Sequence, residues 1–225
     1  MPGGHRTAPL GSLEVPGSPY SVRVLRVGYS SPQADGSVLA DGSVTLVWGG
    51  PVTALVDTGG PWDRALLPEL LRERGLSPRD VTHVVVTHGH SDHAGNLNLF
   101  PGAAELLVGF DLSRGPGLFV PQGLARGEPL ALHGPLLEAL PTPGHTRAHA
   151  ALAVRGTALG TVLVAGDLFE REGDEAEWEA LSEDPPLQRR SRRAALAVAD
   201  VIVPGHGPPF RVLRDEQGDG DGDGD

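Results

Sequence analysis

Five of the chain's nine histidines, with two aspartates, fall in four short segments, and each segment follows a run that reads as a β-strand. The densest is Thr87-His88-Gly89-His90-Ser91-Asp92-His93; the others are Thr142-Pro143-Gly144-His145-Thr146, Ala165-Gly166-Asp167 and Pro204-Gly205-His206-Gly207. Imidazole nitrogen and carboxylate oxygen suit zinc, and related two-metal sites also take iron or manganese. A fold that serves such residues holds its ligand loops on a rigid sheet.

The strand reading comes from β-branched runs and turn residues. Residues 21–27 alternate Val22, Val24 and Val27 with arginines, and 31–41 are turn-rich. Strands at 44–48 and 52–56 are joined across Gly49-Gly50-Pro51, a tight hairpin. Over 62–74, Leu66, Leu67, Leu70 and Leu71 share a helical face, and Gly75 ends that helix. The run 81–87 is a buried strand that delivers the histidine cluster, after which Asp92 or a neighbour caps a short helix through Leu97. Further strands are expected at 105–108, 136–140, 149–154, 161–165 and 201–203, with a helix over 185–199. Its Arg189, Arg190, Arg192 and Arg193 read as a solvated face rather than a phosphate grip. Residues 1–20, rich in Gly, Pro and Ser, read as a flexible arm; 21–213 form one domain; 214–225 are an acidic Gly/Asp tail without fixed structure.

No apolar run approaches the roughly 18 residues of a membrane span, and the N-terminus lacks a signal-peptide pattern. The expected address is cytosol and nucleus, with no membrane partner. Absence of cysteine removes thiolate ligands and cysteine nucleophiles, so any metal is held by nitrogen and oxygen. The net charge of −11 argues against a generic basic surface for nucleic acid. Six of those acids lie in the stretch from Asp215 to Asp225, so a local basic patch stays open.

In an extended segment residues two apart point the same way, so His88 and His90 can reach one metal. Asp92 and His93 follow as the chain turns and can face a second. His145 and His206 come from later strand ends, and Asp167 can bridge. A metal-bound hydroxide is then available near neutral pH, and hydrolysis needs no serine or cysteine nucleophile. Asp92 and His145 are the positions whose loss should stop turnover. Asp57, in Val56-Asp57-Thr58-Gly59, reads as a carboxylate fixing a loop or ligand beneath the site. His149 reads as hydrogen-bonding a ligand rather than binding metal. Trp62 fits either a pocket wall or the helix core.

These motifs together resemble the metallo-β-lactamase superfamily, over about residues 20–213. The resemblance implies an α/β fold of αββα type, a sandwich of two mixed β-sheets flanked by helices. It also implies a ligand assignment: His88, His90 and His145 on one ion, Asp92, His93 and His206 on the other, with Asp167 bridging. The strings 40–47, 56–62 and 205–213 resemble an animal branch of glyoxalase II-like type. That likeness implies two zinc ions (Zn2+) per chain, a homodimer, and an endoribonuclease acting on single-stranded histone pre-mRNA at its 3′ end. Two features depart from relatives: the helical domain that in glyoxalase II binds glutathione thioester does not follow His206, and no RNA-clamping insertion fits between Asp167 and His206. Hydrolysis of a small thioester or ester therefore stays open, as does a mononuclear iron sulfur dioxygenase. A metal-stabilised binding module is disfavoured, because structural zinc sites are usually closed and thiolate-rich.

Overall fold

A computed structural model describes residues 6–214. In chain order the strands are β1 (Arg6–Pro9), β2 (Glu14–Val15), β3 (Ser21–Arg26), β4 (Tyr29–Pro32), β5 (Val38–Asp41), β6 (Val44–Trp48) and β7 (Ala54–Val56). Helix α1 (Leu66–Arg72), β8 (His83–Val86) and α2 (Ser91–Ala94) follow, then β9 (Glu105–Val108), β10 (Asp111–Arg114), β11 (Leu118–Phe119), β12 (Leu130–His133) and β13 (Leu137–Pro141). The rest is β14 (Ala150–Thr157), β15 (Gly160–Gly166), α3 (Pro185–Val198), β16 (Val201–Pro204) and β17 (Phe210–Leu213).

Fifteen of these strands make two sheets. One runs β1-β17-β16-β15-β14-β13-β12, the other β11-β10-β9-β8-β7-β6-β3-β2, and β4 pairs with β5 in a separate hairpin. The period-2 alternation of strand side chains explains the layering. Val47, Val56 and Val85 point between the sheets, where they meet Leu152, Val154, Val162, Val164 and Val203. Their neighbours Leu46, Leu55, Val84 and Val86 point the other way and are covered by Leu67 and Leu71 of α1. On the far side of the seven-stranded sheet, Ala151, Ala153, Leu163 and Ile202 pack under Ala195 of α3. The order is helix, sheet, sheet, helix, which is the expected αββα sandwich.

Parallel pairing occurs where the motifs lie. β7, β8 and β9 are mutually parallel, and β15 is parallel to β16. Asp57, the His88–His93 segment, Asp167 and His206 all follow the carboxyl ends of these strands, where open α/β sheets place ligand loops.

Several expectations are corrected. Residues 6–20 are not a loose arm: β1 pairs with β17 and β2 with β3, each closing a sheet edge. The turn-rich stretch 31–41 instead belongs to the β4–β5 hairpin. The helix expected over 62–74 is α1, preceded by a separate 3₁₀ turn at Pro61–Asp63. Asp92 sits in the first turn of α2 and does not cap it; His90 occupies the N-cap position without a side-chain capping bond. The acidic tail beyond residue 214 lies outside the described residues. Among the described residues no helix is long and apolar enough to cross a membrane.

Candidate metal centre

The site is built on Asp57, whose backbone φ is +58°, a left-handed conformation that Asp tolerates better than bulkier residues. This turn aims its buried carboxylate under the histidine segment. Oδ1 accepts from the Thr87 N–H at 2.7 Å, and Oδ2 accepts from Thr87 Oγ1 at 3.0 Å and from His93 Nδ1 at 2.8 Å. The last bond leaves His93 Nε2 facing the cluster. His206 is fixed in the same sense, its Nδ1 donating to the carbonyl oxygens of Asp41 at 3.0 Å and Tyr29 at 3.1 Å. The β4–β5 hairpin thus sets the orientation of a residue more than 160 positions away.

All seven expected ligand residues come together. His88 Nε2 lies 2.8 Å from His90 Nδ1, and His145 Nε2 lies 3.2 Å from the same His90 nitrogen. Asp167 Oδ2 is 3.5 Å from His88 Nε2 and 3.3 Å from His145 Nε2. A tetrahedral zinc site with bonds near 2.05 Å has ligand edges of roughly 3.3 Å, so this quartet has the dimensions of one. In the second group, Asp92 Oδ2 lies 3.8 Å from His93 Nε2 and 3.7 Å from His206 Nε2. Asp167 joins the two groups: Oδ1 is 3.1 Å from His93 Nε2, and Oδ2 is 3.3 Å from His206 Nε2. Gly205 allows this approach, since a Cβ there would stand 1.8 Å from Asp167 Oδ1.

The electrostatics are those of a cluster in which buried histidines crowd one carboxylate. Burial alone would raise the Asp167 carboxyl and lower His93, but their mutual attraction wins and holds Asp167 well below and His93 well above their usual values. Burial also opposes protonation of His206, yet its hydrogen bond to Asp167 and that charge push it up to about 9. His88 and His145 are lowered, chiefly by burial. His93 Nε2 and Asp167 Oδ1 are buried and, despite their separation, make no hydrogen bond. Buried polar atoms left in this state are costly, and a divalent cation satisfies both. The donors are nitrogen and oxygen only, so the residues fit zinc, iron or manganese.

Other expectations fare unevenly. Asp57 holds the loop from beneath, as described. His149 hydrogen-bonds none of the seven: its Nδ1 meets Thr142 Oγ1 at 2.9 Å, and its ring stacks on His88 with centroids 5.3 Å apart. Burial pushes it down to about 3, so it is a neutral wall behind His88. Trp62 is 61% exposed and donates to Asp41 Oδ2, which makes it neither core nor a wall of the cluster. Arg192 is no part of a solvated face; it is buried, paired with Asp174, and lies over the rings of Phe169 and Trp178.

One residue of the cluster escapes sequence reasoning. Glu170 is only 3% exposed, and burial together with Asp167 pushes its carboxyl up to about 8. Its oxygens stand 3.8 Å from His145 Nδ1 and 3.9 Å from His206 Nε2, and with Asp167 and His206 it forms a third group able to hold a cation. Its only sequence signal is a position three residues after Asp167.

Five of the seven side chains are buried; His90 is exposed and Asp92 partly so. The centre therefore faces solvent through His90, into an open groove of about 450 Å³ lined by Val108, Asp111, Thr146, Arg147 and Glu183. Arg147 is exposed there, and among the described residues its guanidinium makes no ion pair.

The metallo-β-lactamase superfamily model matches residues 39–108. The metallo-β-lactamase domain-containing protein 1 of Xenopus laevis is 56% identical, covering 95% of this chain and 91% of its own. A solved N-acyl homoserine lactone hydrolase, with product bound at its catalytic metal centre, superimposes with a TM-score of 0.58 at 19% identity, covering 80% of this chain and 87% of its own. The metallo-β-lactamase FIM-1 of Pseudomonas aeruginosa, solved in a mono-zinc form, gives a TM-score of 0.59 at 17% identity, over 88% of this chain and 91% of that one.

Proposed function

The chain belongs to the metallo-β-lactamase superfamily, and from that premise we propose that it is a two-zinc hydrolase cleaving RNA phosphodiesters, as an endoribonuclease at the 3′ end of histone pre-mRNA. The observation behind the two-metal half is the position of Asp167, with one oxygen 3.1 Å from His93 and the other 3.3 Å from His145 and His206. His88, His90 and His145 would hold one ion, Asp92, His93 and His206 the other, and Asp167 both. Bound zinc supplies a coordinated water of pKa near 7 and polarises the substrate oxygen.

The protein's own residues prepare that chemistry. Asp57 and the Asp41 and Tyr29 carbonyls fix which nitrogen of His93 and His206 faces the cluster, so little reorganisation is left for the reaction. His149, buried and hydrogen-bonded to Thr142, backs the His88 ring from behind. The groove before His90 is open to solvent, which leaves room for a large substrate. Arg147 stands in its wall with a fork matched to a phosphate. The choice of histone pre-mRNA rests on the likeness of strings 40–47, 56–62 and 205–213 to the animal branch.

A second reading, hydrolysis of a small ester or thioester, draws support from the lactone hydrolase of the same fold. Metal-quantified protein given a histone pre-mRNA fragment, beside a glutathione thioester, separates the two. Cleavage of the RNA is expected; cleavage of the thioester alone overturns the first reading in favour of the second.

A further inference from the structure

Two buried polar atoms beside the metal centre face each other without a hydrogen bond: His145 Nδ1 and Glu170 Oε1, 3.8 Å apart. His145 presents its other nitrogen, Nε2, to His90 and Asp167. Nδ1 is thus the outer nitrogen. For His93 and His206 the outer nitrogen is already bound, by Asp57 and by two carbonyls. For His88 it meets Thr87 Oγ1. His145 lacks such a partner, and the group standing beside its outer nitrogen is Glu170.

We infer that Glu170 is a positioning residue that fixes His145 by accepting a hydrogen bond from its outer nitrogen, Nδ1. The gap to His145 exceeds a normal hydrogen bond by about 0.9 Å, which a small turn of a flexible Glu side chain closes. Its second oxygen lies 3.9 Å from His206 Nε2. That nitrogen faces the centre and His206 is already oriented through Nδ1, so the His145 contact is the one that positions a ligand, and removal of the carboxylate loosens chiefly the ion held by His88, His90 and His145. The main chain is pinned independently: the Glu170 N–H donates to Asp174 Oδ2 at 2.8 Å, and its carbonyl accepts from the His206 N–H at 2.8 Å. Substitution of the side chain leaves these bonds in place, so the carboxylate can be tested apart from the loop.

This inference rests on the two-metal reading but is read out by binding, so absence of RNA cleavage would sink the substrate assignment and leave Glu170 standing. The full chain, with Glu170→Ala and Glu170→Gln, is titrated with zinc against a chromophoric chelator, and cobalt(II)-loaded forms are compared by their electronic spectra. Loss of an outer partner typically costs 10- to 100-fold in metal affinity, and Glu170→Ala should weaken the ion held by His145 in that range. Glu170→Gln, which keeps an accepting oxygen, should lose severalfold. The cobalt spectra should keep their intensity, because the ligand set is unchanged. Wild-type affinity in Glu170→Ala overturns the inference, as does a cobalt spectrum reporting a lost ligand, which would make Glu170 a metal ligand itself. If Glu170→Ala fails to fold by circular dichroism, Glu170→Gln decides: unchanged affinity there overturns the proposal equally.

Discussion

At the scale of single residues, His145 and Asp92 separate the metal role from the structural one. The Asp92 side chain is partly exposed and makes no contact on which the core depends, whereas His145 is buried on a loop tied to residues 183 and 184 by main-chain bonds. Asp92→Ala and His145→Ala should each bring metal-dependent turnover down to background while far-UV circular dichroism stays native. Full activity in either variant would rule out the ligand assignment. The seven ligand candidates were legible because each belongs to a short string whose spacing has chemical meaning: His-x-His places two rings on one side, and a Gly-Asp or Gly-His pair after a strand places a donor at a sheet edge. Glu170 was not legible. It stands among 29 acidic residues of ordinary appearance, and what sets it apart is burial against His145 and His206, a consequence of tertiary packing. Asp41 is similar, its part being played by a backbone carbonyl that no side-chain pattern encodes.

Among the elements, α3 shows how a charge pattern misleads. Its four arginines read as one wet face, yet Arg192 is buried against Asp174, which is 1% exposed, while Arg190 and Arg193 remain in solvent. Removing one partner of a buried pair strands the other charge and costs about 3–5 kcal/mol. Arg192→Ala should therefore lower stability by about that amount in urea unfolding, against a change within about 0.5 kcal/mol for Arg190→Ala. Equal, small effects would show that Asp174 is solvated. The same logic explains which strands were readable. β8, β9 and β15 are apolar runs whose own composition specifies a buried strand. β1 (Arg-Thr-Ala-Pro), β4 and β10 are short and polar, and pairing with neighbours holds them extended, β17 for β1, β5 for β4, and β9 and β11 for β10. Strand preference in such segments is a property of the neighbour, so the sandwich was legible and its edges were not.

For the whole molecule, the proposed RNA substrate sets a requirement, because the chain carries a net charge of −11. Long-range attraction cannot hold such a substrate, since exposed charges beyond about 8–10 Å are screened at physiological salt. On the proposed reading the interaction is local, and the groove before His90 would supply it: the charge of a bound metal beside His90 and Arg147 in the lining, whose guanidinium makes no ion pair among the described residues and is offset in part by Asp111 and Glu183. If Arg147 grips a phosphate beside the scissile bond, Arg147→Ala should raise KM for the RNA about tenfold, equivalent to about 1.4 kcal/mol, with kcat little changed because the ligand residues are untouched. Arg147→Lys should recover only part, since an ammonium lacks the bidentate fork. The salt dependence supplies the independent readout. Each phosphate contact to single-stranded nucleic acid adds about 0.7 to the slope of log affinity against log salt, so Arg147→Ala should flatten that slope by roughly this much. A raised KM with an unaltered slope would mean that the substitution deforms the loop between His145 and His149, and the groove would then grip its substrate elsewhere.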